Sequence, residues 1–315
     1  MTGLGHFVGL TAPLFLLVLF GYALSTFGRW PSAATDALAR FVFTVAMPAL
    51  LFRLMSDFSR LPRVDARILV AYFGGCLAVY VLGRVIAAGA FRLDGVSQSV
   101  FGMGGIFSNN VLLGLPIAKV ALGDAAMPGV SLILVFNSLV LWTLVTVSVE
   151  WARHRELSVA GLAKTVRGVI VNPIIASILV GTAWGFTGIA LPAFADRTIA
   201  LVADAGLPLS LIVLGMGLAH FGIRAGWRIS GALAALKLIA QPAVVYGLAL
   251  LVGLSSGDVA VVVLMAALPI GANVYLMARQ FDALSGPIAS GIVLTTILGA
   301  FTTPLALALA GAPVR

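Results

Sequence analysis

Two stretches of this sequence combine asparagine, glycine and proline within otherwise apolar runs. They are GGIFSNNVLLGLPIAK at residues 104–119 and AALPIGANVYLMARQ at residues 266–280. Proline removes a backbone donor and clashes with the preceding turn, so helices through these stretches are expected to open near Pro116 and near Pro269. Freed backbone groups need polar partners, and asparagine amides offer both donors and acceptors. Together these groups could hold a small charged solute of either sign.

The candidate binding residues share these two stretches. They are Asn109, Asn110, Gly114, Pro116, Lys119, Pro269, Gly271, Asn273 and Tyr275. Half-helices that begin beyond each opening would direct the positive ends of their dipoles toward the solute. A carboxylate would then be held by backbone N–H groups and by the asparagine amides. The alternative is that the asparagines only cap or join helices.

The composition indicates what kind of elements carry these stretches. Of the 315 residues, 61% are hydrophobic and 10% are charged, whereas a soluble domain has about 25% charged residues. A membrane helix needs roughly 20 predominantly apolar residues. The sequence therefore predicts an all-α polytopic membrane protein with ten transmembrane helices. The ten candidate spans are 7–27, 37–55, 67–90, 97–122, 128–150, 168–188, 198–220, 229–253, 258–280 and 286–310.

The longest gap between spans, residues 151–167, is also the most basic and separates five spans from five. It predicts a first repeat at 1–150, a connecting loop at 151–167 and a second repeat at 168–315. Basic residues are retained on the cytoplasmic side, so we expect a cytoplasmic loop, both termini outside, and a multi-pass protein of the inner (plasma) membrane. The net charge of +8 is explained by these scattered residues, and no nucleic-acid partner is expected.

The two halves share features in the same order. The matched pairs are Pro13 with Pro173, Gly21 with Gly181, Pro48 with Pro208, and Asn110 with Asn273. The first three pairs are 160 residues apart (173 − 13, 181 − 21, 208 − 48) and the fourth pair is 163 apart (273 − 110). Because each half has five spans, the second half would enter the bilayer from the opposite side. The sequence thus predicts a 5+5 inverted repeat, an architecture of secondary transporters.

The strings FSNNVLLGLPIAK, AALPIGANVYLMARQ, VNPIIASILVG (171–181) and GLPLSLIVLGMGLA (206–219) resemble the auxin efflux carrier family, which includes bacterial malonate transporters. The resemblance covers essentially all ten spans. It implies a bile-acid-symporter-like fold, with a scaffold of helices 1, 2, 6 and 7 and a transport part made of the rest. It also implies that helices 4 and 9 are broken and cross at the substrate site. Only residues 151–167 stand where plant members carry a long cytoplasmic loop.

Ionisable residues inside membrane spans are costly and usually functional. Lys119 could attract or neutralise an anion, or it could extend to the membrane interface. The candidates for binding a coupling ion are Asp204, Lys237 and Gln241. Coupling to a proton, or transport without a coupling ion, is favoured over sodium because no acidic cluster stands within the spans. No metal site and no cofactor are expected.

These features predict a secondary transporter that moves a small organic anion, a malonate-like carboxylate, by elevator-type alternating access. A homodimer is expected to form through helices 1, 2, 6 and 7. The alternatives are a carrier of auxin-like hydrophobic monocarboxylates and, in another class, a channel or membrane sensor. An enzyme is not expected because no nucleophile or metal constellation is evident, and the three histidines lie far apart.

Overall fold

The computed structural model of the chain describes residues 3–57, 65–154, 171, 173–219 and 226–311. Within these ranges the regular elements are helices, and one isolated antiparallel bridge joins Ser108 to Ile270. The helices, numbered in chain order, are α1 (Gly3–Thr26), α2 (Ser32–Ser56), α3 (Arg67–Gly89), α4 (Gly95–Gly104), α5 (Asn110–Leu122), α6 (Met127–His154), α7 (Pro173–Phe186), α8 (Ala193–Leu218), α9 (Trp227–Leu251), α10 (Ser256–Ala267), α11 (Asn273–Gln280) and α12 (Ser285–Leu309).

Length and hydropathy agree with a chain that crosses a membrane many times. In the described ranges, seven helices are long and apolar enough to span a bilayer, namely α1, α2, α3, α6, α8, α9 and α12. The apolar helices α5, α7 and α10 are shorter. Most of the predicted loop 151–167 lies outside the described residues, together with several of the basic residues on which the predicted orientation depends.

Three of the helices contain a π-helical turn, and in each case a proline follows it. The turns are Val42–Ala46, Asn110–Gly114 and Leu236–Ala240, and the prolines are Pro48, Pro116 and Pro242. Proline cannot donate a backbone hydrogen bond and its ring crowds the preceding turn. The wider π turn makes room for the ring without ending the helix. The expected opening at Pro116 is therefore wrong: α5 continues through this residue.

Two pairs of helices pack closely through glycines. Helix α1 lies along α8 and α2 lies along α7. Gly21 of α1 faces the backbone of Ile212 in α8, and Gly181 of α7 faces the backbone of Phe52 in α2. A Cβ atom at Gly181 would lie 2.7 Å from the Phe52 carbonyl oxygen. These helices approach at backbone contact, which only glycine permits.

A second set of helices surrounds the two stretches singled out in the sequence. Helix α3 packs against α4 and α9, α9 packs against α10, and α12 contacts α9 and α10. Helix α6 packs against α4. The fourth predicted span is divided into α4 and α5, and the ninth is divided into α10 and α11. The interruptions of both spans lie inside this group of helices.

We expect alanine at Gly21 or at Gly181 to lower the thermal stability of the purified protein. The added methyl would meet backbone atoms of the facing helix, which cannot rotate away, and overpacking of this kind costs roughly 1–3 kcal/mol. Thermal unfolding in detergent measures the effect. Gly9→Ala is the matched control, because nothing lies within 4 Å of a Cβ atom at that position in α1. Unchanged unfolding midpoints for both Gly21→Ala and Gly181→Ala would contradict the close packing.

Candidate functional site

The two interrupted spans meet at their interruptions. Helix α4 ends at Gly104 and α5 begins at Asn110, while α10 ends at Ala267 and α11 begins at Asn273. The two connecting segments run antiparallel to each other. The Asn109 N–H donates to the Pro269 carbonyl at 2.9 Å, and the Gly271 N–H donates to the Phe107 carbonyl at 2.8 Å. This crossing brings together residues that lie far apart in the sequence.

The second interruption has a local cause. Leu268, which precedes Pro269, has the extended conformation φ −69°, ψ 155°. A residue before proline is driven out of the helical region by the proline ring, so α10 ends at Ala267. The first interruption contains no proline, and it lies before Asn110. Its open backbone is instead held by the pairing with the second segment.

Buried side chains satisfy the backbone groups that the interruptions release. The Lys237 ammonium donates to the Ala266 carbonyl at 2.6 Å, and the Thr303 hydroxyl donates to the Ala267 carbonyl at 3.2 Å. Gln241 Nε2 donates to the Ile106 carbonyl at 2.8 Å, and Thr295 Oγ1 accepts from the Ile270 N–H at 3.1 Å. Unpaired backbone groups in an apolar region cost several kcal/mol each, so these contacts stabilise the interrupted geometry.

A cavity of about 350 Å³ adjoins the crossing. This size is typical of sites for small molecules. No charged side chain lines it among the residues that the structure describes. Its lining comprises Phe43, Thr44, Phe107, Ser108, Asn109, Asn110, Val111, Leu112, Leu134, Asn137, Pro173, Ile174, Ile175, Gly271, Ala272, Asn273 and Leu276.

Four asparagines supply most of the polar groups of the cavity wall. Asn109, Asn110 and Asn137 are only 5%, 3% and 4% exposed, whereas Asn273 is exposed at the first position of α11. Asn110 Nδ2 donates to the Tyr72 hydroxyl at 3.2 Å and to Asn137 Oδ1 at 3.3 Å. The buried atoms Asn109 Nδ2 and Asn110 Oδ1 have no hydrogen-bond partner. A ligand in the cavity could supply these partners.

Both half-helices begin at the cavity. Asn110 opens α5 and Asn273 opens α11, and both residues line the cavity. The N-terminus of a helix carries about half a positive charge, and anions bind there readily. A small anion in the cavity can therefore contact amide groups and two helix N-termini directly, and none of the described lining residues is charged.

The other predicted binding residues lie around the cavity rather than on its wall. Gly114 faces Leu268, whose side chain would be 2.5 Å from a Cβ atom at that position. Pro116 is buried within α5, and Pro269 accepts the hydrogen bond from Asn109. Tyr275 is half-buried in α11. The structure thus brings Asn109, Asn110, Gly271 and Asn273 to the cavity and leaves these four outside its lining.

Lys119 and the three candidates for binding a coupling ion fall into two groups. Lys119 forms an ion pair with Asp124 near the end of α5, and Asp204 is exposed on α8. Lys237 and Gln241 are fully buried in α9 and contact the carbonyl groups of both interruptions. None of the four lines the cavity.

Three polar residues at the site lie outside the two stretches and were not predicted from the sequence. Asn137 and Thr44 line the cavity, and Tyr72 contacts Asn110. Asn137 lies in the apolar run SLILVFNSLVLW, and a single polar residue in a membrane span is a signal that could have found it. Tyr72 and Thr44 carry no such signal, because tyrosine and threonine are common in apolar helices.

Comparison with known proteins identifies the family. Residues 6–307 match the model of the family described as "Membrane transport protein". A Rhizobium meliloti protein named "Putative malonate transporter" is 28% identical over 95% of this chain and 94% of its own length. "Auxin efflux carrier component 8" of Arabidopsis thaliana is 24% identical over 95% of each chain. An uncharacterized transporter of Methanocaldococcus jannaschii is 24% identical over 89% of this chain and 91% of its own.

The match extends over nearly the whole chain, and it includes both interrupted spans and the cavity between them. The family is one of multi-pass membrane transporters and not of enzymes. The predicted resemblance is confirmed: this chain belongs to the Membrane transport protein family, the family of the auxin efflux carriers.

Proposed function

We propose that this protein is a secondary transporter that moves a small carboxylate, of the malonate type, across the membrane. The observation that carries the proposal is the uncharged cavity at the crossing, with asparagine amides and two helix N-termini on its wall. Interrupted helices whose N-termini face an anionic group are a known device of secondary transporters. The name of the Rhizobium relative supports a dicarboxylate.

The architecture proposed for this function is ten spans in a 5+5 inverted repeat, with residues 1–150 and 168–315 as the two halves and a bile-acid-symporter-like fold. Reciprocal packing supports it. Gly21 contacts Ile212 and Gly181 contacts Phe52, and both the glycines and their partners are 160 residues apart (181 − 21, 212 − 52). A two-fold relation between the halves would exchange these two contacts.

The crossing supports the same relation. Ser108 is paired with Ile270, which lies 162 residues further along the chain (270 − 108). The two flanking hydrogen bonds join Asn109 to Pro269 and Gly271 to Phe107, so each bond is the counterpart of the other. The proposed two-fold axis would pass through this bridge.

The proposed mechanism is elevator-type alternating access. Helices α1, α2, α7 and α8 form the scaffold, which also makes the homodimer, and the remaining helices carry the cavity. The close glycine contacts within α1–α8 and α2–α7 support a rigid scaffold. The moving part would slide along it with the solute held at the crossing. The protein would lie in the inner (plasma) membrane with both termini outside the cytoplasm.

The proposed coupling ion is a proton rather than sodium. Lys237, Gln241 and Asp204 are the residues proposed to take part in the coupling. Lys237 and Gln241 donate hydrogen bonds to carbonyl groups of the two interruptions. A change in the hydrogen bonding of either side chain would therefore alter the backbone at the crossing. Lys119 would act on the anion from the end of α5, where it is paired with Asp124.

The second candidate function is transport of auxin-like hydrophobic monocarboxylates. The apolar residues of the lining and the likeness to a plant auxin efflux carrier component favour it. A channel or a membrane sensor is the alternative from another class. A carrier shows saturable transport that is accelerated by substrate on the opposite side, whereas a channel conducts without saturation.

The test is transport into proteoliposomes that contain the purified protein. Labelled malonate, other short dicarboxylates and aromatic monocarboxylates are offered with and without pH and sodium gradients. We expect saturable uptake of a short dicarboxylate that responds to the pH gradient and not to sodium. Uptake of none of these anions above protein-free liposomes, or uptake that never saturates, would overturn the proposal.

A further inference from the structure

The charge balance around the cavity suggests which ionic form of a dicarboxylate it accepts. Each helix N-terminus supplies roughly +0.5 of a charge and each C-terminus roughly −0.5. The N-termini of α5 and α11 and the C-termini of α4 and α10 all lie at the crossing, so the four dipole ends nearly cancel. In its charged form Lys237, bonded to the Ala266 carbonyl, adds one positive charge, which leaves a surplus of about +1 at the crossing.

That surplus matches one negative charge on the ligand. A dianion would bring a second charge into a largely apolar site, and none of the described lining residues is charged to balance it. An unbalanced charge in such surroundings is strongly disfavoured. A monoanion is therefore the favoured occupant.

The hydrogen-bonding groups at the cavity add a second, independent requirement. Asn109 Nδ2 is an unpaired donor and Asn110 Oδ1 is an unpaired acceptor, and both side chains are at least nine-tenths buried. In the structure Asn110 Nδ2 points to the Tyr72 hydroxyl and to Asn137 Oδ1, so Oδ1 is the atom left without a partner. An unpaired acceptor requires a donor on the ligand. Ser108 and Asn273 can donate or accept and impose no preference.

We infer that the cavity binds the hydrogen form of a short dicarboxylate, which has one ionised carboxylate and one protonated carboxyl group. The carboxylate accepts from Asn109, and the protonated carboxyl donates to Asn110. The coupling proton would then cross the membrane on the substrate itself. This inference rests on the proposed function, because it concerns the ligand of the same cavity.

The inference concerns titration of the ligand, so the titratable groups of the protein near the crossing must be separated from it. They are Tyr72 on α3, which contacts Asn110, Cys76 on α3, which contacts Gln241, and Lys237 on α9. None of the three lines the cavity. A ligand that does not titrate reports their effect alone.

The experiment compares three inhibitors of labelled malonate uptake in proteoliposomes, with equal pH on both sides. Malonate changes from monoanion to dianion as the pH rises. Malonamate is a monoanion throughout and carries an amide N–H₂ donor, whereas monomethyl malonate is a monoanion without a donor. The ratio of the inhibition constants of malonate and malonamate cancels any titration of the protein.

We expect this ratio to rise about tenfold per pH unit above the second ionisation of malonate, as the monoanion disappears. Monomethyl malonate should bind roughly 5- to 150-fold more weakly than malonamate, because it leaves Asn110 Oδ1 unpaired. In Asn110→Leu, which lacks the acceptor, this second difference should fall to about one. Measurements on the unsubstituted protein decide the matter if that variant does not fold.

Two results would overturn the inference while leaving the proposed function intact. They are saturable malonate transport with a pH-independent inhibition ratio, and equal inhibition by malonamate and monomethyl malonate. If no short carboxylate is transported or inhibits, the proposed function itself fails and the inference fails with it.

Discussion

Transport by the Asn273→Ala variant is expected to fall at least about tenfold, with the protein still folded and inserted. Asn273 is exposed at the first position of α11 and lines the cavity, so its amide is free to contact a bound anion. A hydrogen bond to a charged group contributes about 1.5–3 kcal/mol, which corresponds to a roughly 10- to 150-fold change in binding. Initial rates of labelled malonate uptake in proteoliposomes measure the loss.

Gln280→Ala is the matched control for this variant. Gln280 carries an amide at the other end of the same helix, is exposed, and does not line the cavity. It should keep the original rate. Asn110→Ala should lower transport at least as strongly, and it should lower stability because Tyr72 and Asn137 lose their partner. If both Asn110→Ala and Asn273→Ala transport malonate at the original rate, the crossing does not take part in transport.

The ninth predicted span shows what local sequence can predict. A proline within an apolar run removes one hydrogen bond and forces the preceding residue out of the helix. Leu268 and Pro269 behave in this way, and the interruption lies where the sequence places it. The half-helix α11 then begins beyond this opening, at Asn273.

The fourth predicted span shows what local sequence cannot predict. Pro116 does not open α5, because the π turn Asn110–Gly114 accommodates it. The interruption occurs earlier, where Phe107 and Asn109 pair with the second segment. This pairing joins residues more than 150 positions apart, so no feature of residues 104–119 alone could have located it.

The roles of Lys237 and Gln241 illustrate the same limit. Both residues stand out in the sequence because polar groups in membrane spans are costly. Their hydrogen-bond partners are the carbonyls of Ala266 and Ile106, which become available only because the facing spans are interrupted. Sequence reasoning found the unusual side chains, but their partners follow from tertiary structure.

Valine at Gly271 is expected to abolish transport and to destabilise the crossing. A Cβ atom there would lie 2.9 Å from the Ser108 carbonyl oxygen and 3.2 Å from the carbonyl carbon. These are backbone atoms held by the antiparallel pairing, so the segments would have to separate. The two hydrogen bonds that flank the bridge, Asn109 to Pro269 and Gly271 to Phe107, would weaken, at a cost of about 1 kcal/mol each.

The separation would also move Asn109 and Asn273 relative to each other. In the proposed site both amides contact the bound solute at the same time, so its binding would weaken. Gly271→Ala adds only the first carbon and should give an intermediate loss of rate. Gly247→Val on α9 is the control, because nothing lies within 4 Å of a Cβ atom at that position. Uptake assays and thermal unfolding are measured on the same preparations. Full transport by Gly271→Val would mean that the two segments need not stay paired for the solute to cross.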